Sequence, residues 1–334
     1  MNSAPADHLR DPQRMEQLYA IAGRIFGRHG IDFSTATRGG GWSNATWLAG
    51  GWVLRLAIEP GTDHLRREAG LGALLPPVVG FPVSLETGVT GGFEWSLSRE
   101  IQGENLGELW PGLDWDQRID AMRQLWQKVE AVHTVSPAAA APFVLKQSLF
   151  YPRDAAGAQI RLGRVFARGF IAAPQVVLAG AILDRFWQVY EQAPKVLNHG
   201  DFTAENALYH AGQVVSLLDF EYALVAPPEI DANELLKSAF LPPEAPDPLP
   251  DPGGEGLKRY RQAVIEMALP MLDHPGSADL LLGYAVMLGL WAIENELAHP
   301  DEKSPGYLAR FQEELSALCD GHGGYLAPIL ARLG

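Results

Sequence analysis

The sequence predicts an α+β protein in two parts, a small β-rich part followed by a larger, mainly helical one. Three observations carry that expectation. Before Gly103, short runs rich in Trp, Val and Thr are broken by glycines. Beyond Gly103, apolar residues recur at three- and four-residue steps. A length of 334 residues lets both parts bury a core.

The first element is a helix over Met15 to His29, where Leu18, Ile21, Ala22, Ile25 and Phe26 follow helical spacing and Gly30 closes the run. Trp42 to Leu48 and Trp52 to Ile58 read as strands joined by the Gly50-Gly51 pair, hence a β-hairpin. Helical spacing returns from Thr62 to Leu75 through Leu65, Ala69 and Gly72. There Glu68 lies on or beside the inward stripe, while Arg66 and Arg67 point elsewhere. Strand-like segments near Phe81 to Leu85 and Gly92 to Ser98 complete the first part.

In the second part, helices are expected over Asp114 to Val135, Val176 to Tyr190, Glu255 to Leu272, Asp279 to Ala298 and Tyr307 to Leu318. An irregular stretch, Val196 to Ala226, interrupts them, and Asp231-Ala232-Asn233-Glu234 has the form of a helix cap with a reciprocal partner. The Pro-rich run Leu241 to Gly254 reads as a loop or flap, because helical spacing does not survive that many prolines.

Forty acidic against 26 basic side chains give a net charge of -14, which on average repels nucleic acid and reads either as a solvated acidic surface or as help in attracting a cationic small molecule. Cys319 is the only cysteine, excluding an internal disulfide and a cysteine-built metal site. Met1 to Arg10 lacks the pattern of a secretory signal, and the longest apolar stretch, Leu280 to Ile293, is too short to span a bilayer and reads as a buried helix. A cytoplasmic enzyme with no membrane or nucleic-acid partner is expected.

The chemistry concentrates in Asn198-His199-Gly200-Asp201-Phe202-Thr203-Ala204-Glu205-Asn206 and in Val214 to Leu218 followed by Asp219-Phe220-Glu221. Asn206 comes five residues after Asp201, and Asp219 follows a hairpin-sized gap and an apolar strand. Phosphoryl transfer needs a carboxylate near the attacking hydroxyl and oxygen ligands that hold magnesium against the nucleotide phosphates, and this is the kinase-type layout for both. Taken singly, Asp201 reads as a turn-forming Asp after Gly200 and Asn206 as a cap; taken together, their spacing favours chemistry. His199 reads as a residue that pins the loop backbone. Gly39-Gly40-Gly41-Trp42-Ser43-Asn44 lies between two strands, where glycines let amides approach phosphates and Ser43 and Asn44 can donate hydrogen bonds; a plain hairpin turn is the alternative.

These motifs resemble the aminoglycoside phosphotransferase and choline kinase family, relatives of the protein kinases. The resemblance covers most of the chain and thins through Pro137 to Leu178 and after Leu241. It implies a two-lobed protein-kinase-like fold, with an N-lobe over 1–98, a hinge over 99–103 and a helical C-lobe over 104–334 that holds the catalytic loop and acceptor pocket. It implies ATP and Mg2+ as cofactors, Asp201 as the base, and Asn206 and Asp219 as metal ligands. Gly41, Ser43 and Asn44 would approach the phosphates. Arg55 stands where the family normally has lysine, with Glu68 as its partner. The Arg99 carbonyl and Ile101 amide would face the purine.

Tyr284, Met287, Trp291 and Glu294 share one helix face, which reads either as core or as the wall of an acceptor pocket. The final residues, Tyr325 to Gly334, offer no side-chain acid as an ammonium anchor of the kind seen in aminoglycoside enzymes. The resemblance implies a hydroxyl-bearing small molecule as acceptor: an aminoglycoside-like or other antibiotic, or a metabolite such as choline, homoserine or a sugar. A protein kinase is disfavoured, because Gly200 replaces the expected catalytic-loop Arg and the chain has no long activation segment. A silent nucleotide-binding scaffold remains as the alternative, against which the presence of Asp201, Asn206 and Asp219 together counts.

Overall fold

Helix α1 (Pro12–Arg28) buries the stripe that its periodicity marks, Leu18, Ile21, Ala22, Ile25 and Phe26. The coordinates are those of a computed structural model and describe residues 12–40, 44–241, 249–251, 253–300 and 304–333. The α1 stripe faces an antiparallel sheet built from β1 (Thr37–Arg38), β2 (Asn44–Ala49), β3 (Trp52–Ala57) and, after helix α2 (His64–Gly72), β4 (Ser84–Thr90) and β5 (Phe93–Arg99), in the order β1-β2-β3-β5-β4. Gly50 and Gly51 close the β2–β3 hairpin with φ of 56° and 75°, the left-handed values that the central pair of a tight hairpin requires. Trp47, Leu54, Leu56, Trp95 and Leu97 join the α1 residues in one core, each large side chain contributing about 1.5–3 kcal/mol by leaving water.

Two elements of this part differ from expectation. Strand β4 begins at Ser84 and runs to Thr90, later than the Phe81 start that apolar content suggested. Pro82 has no amide to give to a ladder, and β4 is an edge strand that leaves Leu85 and Val89 exposed, so its apolar residues do not report pairing. Helix α2 is shorter than Thr62 to Leu75; the Glu94 carboxylate sets its start by accepting from the Leu65 amide (3.0 Å) and the Arg66 amide (2.9 Å). Gly41, Trp42 and Ser43 lie outside the described residues, as does most of the Pro-rich run from Leu241 to Gly254.

Beyond Arg99, β6 (Glu104–Asn105) and α3 (Leu106–Leu109) lead into α4 (Trp115–His133), whose Asp114 and Gln117 form a reciprocal capping box. Next come α5 (Pro137–Ala140), α6 (Ala155–Ala167) and α7 (Ala173–Tyr190). Four short strands follow, β7 (Val196–Asn198), β8 (Ala207–His210), β9 (Gln213–Leu217) and β10 (Leu224–Ala226), pairing as β7 with β10 and β6-β8-β9. Helices α8 (Glu229–Phe240), α9 (Glu255–Ala268), α10 (Ser277–Ala298), α11 (Ser304–Cys319) and α12 (Ala327–Leu333) complete the chain. Helices α4, α7, α9, α10 and α11 stand where the spacing placed them. Helix α6 was not expected, since Gly157 and Gly163 dilute its stripe of Ala158, Leu162 and Val165.

The cap expected at Asp231 is corrected. Helix α8 starts at Glu229 behind Pro227 and Pro228, whose fixed φ favours an earlier start, so Asp231 sits inside the first turn and its carboxylate serves another segment. Helix α10 extends past both ends of the apolar stretch Leu280 to Ile293; at 22 residues it is long and apolar enough to cross a bilayer, yet most of that apolar length is buried against the rest of the fold. A second, larger core gathers the helices and reaches back to Leu71 of α2 and to Val79, joining the two parts.

Candidate active site

A buried acid holds the loop from Asn198 to Asn206. Asp231, fully buried, accepts from the His199 amide (2.9 Å), the Gly200 amide (2.9 Å) and His133 Nε2 (2.8 Å). Burial alone would raise its carboxyl, but these partners win and hold it below the ordinary carboxylate range. Gly200 has φ 85°, and a Cβ there would stand 2.3 Å from the Tyr222 carbonyl oxygen, so the turn accepts only glycine. His199 then fastens the loop to the next strand. Its Nε2 donates to the Leu218 carbonyl (2.8 Å) and its Nδ1 accepts from the Asp201 amide (3.3 Å), both satisfied by one neutral tautomer.

Asp201 is half-buried at the loop tip. Asn206 Nδ2 donates to the Asp201 carbonyl (2.9 Å) and to its Oδ2 (3.3 Å). The Leu218 amide donates to the Asn206 carbonyl (2.7 Å), which brings Asp219 beside the loop. Asp219 adopts φ 64°, a left-handed conformation that costs a non-glycine residue about 1–2 kcal/mol. Burial pushes the Asp201 carboxyl up, Asp219 adds to this, and the Asn206 hydrogen bond opposes it.

From the sheet side, Arg55 on β3 pairs with Glu68 on α2 (Nη1 to Oε2, 2.7 Å), and the other Glu68 oxygen accepts from the Phe220 amide (2.7 Å). Glu68 therefore ties sheet, helix and the Asp219 turn together. Burial lowers the Arg55 guanidinium, but Glu68 and Asp219 more than offset it and hold it above its ordinary value. Burial pushes Glu68 up to about 7 against the pull of Arg55. These directions oppose each other on one pair. Two donated hydrogen bonds serve the carboxylate, so the ion pair is the form adopted once the pH is above that value.

Asp219 Oδ1 is buried without a hydrogen-bond donor among the described residues and faces Arg55 Nη2 at 3.6 Å. Together with the Asn206 amide oxygen, whose nitrogen is turned to Asp201, it offers the hard oxygen donors that suit magnesium. Among the described residues no group of three His, Cys, Asp or Glu could hold a metal, so this pair would need phosphate oxygens to complete a site.

Of the remaining expected residues, Asn44 is buried at the start of β2, and its Oδ1 accepts from His64 Nε2 (2.8 Å). The Glu100 amide donates to the Gly51 carbonyl (3.0 Å), so the planar trans peptide turns the Arg99 carbonyl the opposite way, off the β3 side. The Arg99 side chain lies over Trp52, 3.7 Å from its centroid, and Ile101 follows half-buried. Tyr284 is buried against Tyr151 and Phe186, with ring centroids 4.9 Å away in both cases. Trp291 packs edge-on to Phe150 (4.7 Å), which in turn meets Tyr222 (4.9 Å) just after the Asp219 turn. Glu294 is held between Arg161 (3.1 Å) and Arg164 (2.5 Å) of α6, so its charge is matched within the chain.

Sequence reasoning missed His64 and left Asp231 out of the site. His64 sits near Arg55 and Asp219, and burial with the Arg55 charge lowers it to about 4, leaving it neutral. A single His at a helix start carries no sequence signal. For Asp231 the signal was present, an Asp in the helix after the loop, but it pointed to a cap.

Residues 35–264 match the phosphotransferase enzyme family. No curated protein matches the chain. Among solved structures, the GDP complex of wild-type aminoglycoside 2'-phosphotransferase-IIIa is similar with a TM-score of 0.65 at 18% identity, covering 90% of this chain and 98% of that one. Macrolide 2'-phosphotransferase MphH from Brachybacterium faecium, as apoenzyme, gives 0.55 at 21%, covering 93% and 99%. A thermostable mutant of aminoglycoside phosphotransferase APH(4)-Ia, in ternary complex with AMP-PNP and hygromycin B, gives 0.61 at 13%, covering 90% and 99%. At these identities the likeness establishes the fold, an antiparallel sheet joined to a helical part as in the protein-kinase-like phosphotransferases.

Proposed function

The chain belongs to the phosphotransferase enzyme family, and from that premise we propose that it moves the γ-phosphate of ATP to a hydroxyl of a small molecule in the cytoplasm. One observation carries the reading: Asn206 is bonded to Asp201, and Asp219, brought beside that loop by the Leu218–Asn206 bond, faces the Arg55–Glu68 pair. Asp201 would orient the acceptor hydroxyl and take its proton late in a loose transition state; its upward-shifted carboxyl is a better proton acceptor than an exposed Asp. Arg55 would offer two parallel hydrogen bonds to phosphate oxygens, and Glu68 fixes the angle of that fork. Magnesium, held by Asn206 and Asp219 with the phosphates, would supply charge neutralisation. The segment 99–103 would be the hinge, its Arg99 carbonyl turned to the purine. Related folds carry GDP in one case and AMP-PNP in another, so the base preference rests on this segment and the expectation of ATP.

For the acceptor, the aromatic run Tyr222, Phe150 and Trp291 beside the Asp219 turn supports a molecule with an apolar or cationic face. Glu294 is engaged by two arginines, which favours other hydroxyl acceptors over a polycationic aminoglycoside. The test is ADP release across a panel of hydroxyl-bearing antibiotics and metabolites, with and without magnesium. An acceptor that raises ADP release only with magnesium is the expected result. Failure of every acceptor, with the same background rate in an Asp201→Asn enzyme, would overturn the reading in favour of a silent nucleotide-binding protein.

A further inference from the structure

A cleft of about 440 Å³ opens between α2 and the stretch 142–146. Its walls carry Arg66, Arg67 and Lys146 against one acid, Asp63, a local positive surplus on a chain of net charge -14. Asp63 is already spent on Arg67 (Oδ1 to Nε, 3.0 Å). Arg67 Nη1 is buried and has no hydrogen-bond partner among the described residues. A buried donor left unpaired costs about 1–3 kcal/mol, and an acceptor in the cleft removes that cost once the Arg67 side chain turns towards it. Arg66 Nε lies 4.0 Å from Glu94, and Lys146 is exposed.

We infer that this cleft binds a small phosphate-type polyanion, gripped by Arg66 and Arg67 from α2 and by Lys146 from the facing wall. Guanidinium forks match tetrahedral oxyanions with parallel hydrogen bonds, and the ammonium adds charge from the far side. The two walls belong to the working parts of the molecule. Phe143 packs so closely under α2 that a Cβ on Gly70 would stand 2.3 Å from its ring, and the Leu145 amide donates to the Ala223 carbonyl (3.0 Å) in the segment after Asp219. An anion here bridges the helix that carries Glu68 to the segment that follows Asp219. Its effect on transfer rests on the function proposed above; its binding does not.

The experiment is calorimetric titration of the full chain with inorganic pyrophosphate, without magnesium or nucleotide and at constant ionic strength. Wild type is compared with an Arg66→Gln/Lys146→Gln variant, whose two changes lie on exposed positions, and with Asp219→Asn, which alters only the site beside Asp201. Binding weakened about tenfold or more by the double change, and kept by Asp219→Asn, is the expected result. No binding to wild type, equal binding to the double variant, or a loss confined to Asp219→Asn would each overturn it. Matched melting curves for the variants confirm that folding is intact. Pyrophosphate binding in a protein with no acceptor-dependent ADP release would leave this site standing and the proposed reaction refuted.

Discussion

The loop around Asp201 and the α10 face with Tyr284, Trp291 and Glu294 both set polar groups among apolar neighbours, and the fold treats them in opposite ways. In the loop, a buried carboxylate, a histidine pin and a glycine that admits no side chain direct the backbone, which holds Asp201 at the loop tip. On α10, Tyr284 is absorbed into an aromatic core and Glu294 into an ion pair with α6. A carboxylate becomes available for chemistry where directional hydrogen bonds fix its surroundings and leave it unpaired. On α10 the two arginines make Glu294 a structural strut.

If that contrast holds, the largest effect belongs to the support beneath the loop. Asp231→Ala leaves His133 and two amides without their acceptor, and stability should fall by about 3–5 kcal/mol in urea unfolding. A loss below about 1 kcal/mol would mean that the network does not hold the loop. Because the folded Asp231 carboxyl lies below its ordinary value of 3.8, its contribution should be present above that pH and fade as the solution is acidified through it.

Next comes the residue the network holds. Asp201→Asn preserves size but cannot take a proton, so kcat should fall roughly a hundredfold or more while nucleotide affinity stays near wild type. Near-normal kcat would put the proton transfer elsewhere and erase the contrast.

Glu68 sharpens the comparison, because it is both buried and paired. Its carboxyl is shifted up from an ordinary 4.5 to about 7, so the folded state binds this proton more tightly than the unfolded chain. That stabilisation is full below 4.5 and is lost as pH rises through about 7. Wild type should therefore lose Tm relative to Glu68→Gln across that window, by roughly 2–4 °C for each kcal/mol involved. Parallel curves would show that Arg55 keeps Glu68 ionised throughout.

The smallest effect is expected on α10. Glu294→Gln should cost less than about 1 kcal/mol, since Arg164 is largely exposed, and should leave the acceptor KM unchanged. An acceptor KM raised about tenfold would turn Glu294 from a strut into an anchor and break the comparison.

Much of this was legible in the residue order. The α1 stripe and the Gly50-Gly51 hairpin follow from periodicity and turn chemistry, and the grouping of Asp201, Asn206 and Asp219 from motif spacing, because each depends on neighbours within a few positions or on a motif with few alternatives; Arg55 opposite Glu68 came from the family resemblance. Edge strand β4, glycine-diluted α6 and the start of α8 were misjudged, since an edge strand, a weak stripe and a Pro-Pro start give signals that spacing alone misreads.

By itself, then, the sequence determined the two-part α+β order and the identity of the groups around Asp201, through local constraints that the chain carries wherever it folds. Only the tertiary structure decided which buried charges support that loop and which merely pair. The His133–Asp231 and Arg164–Glu294 contacts join residues 98 and 130 positions apart, and burial, which sets their energies and titration, exists only once those distant segments pack.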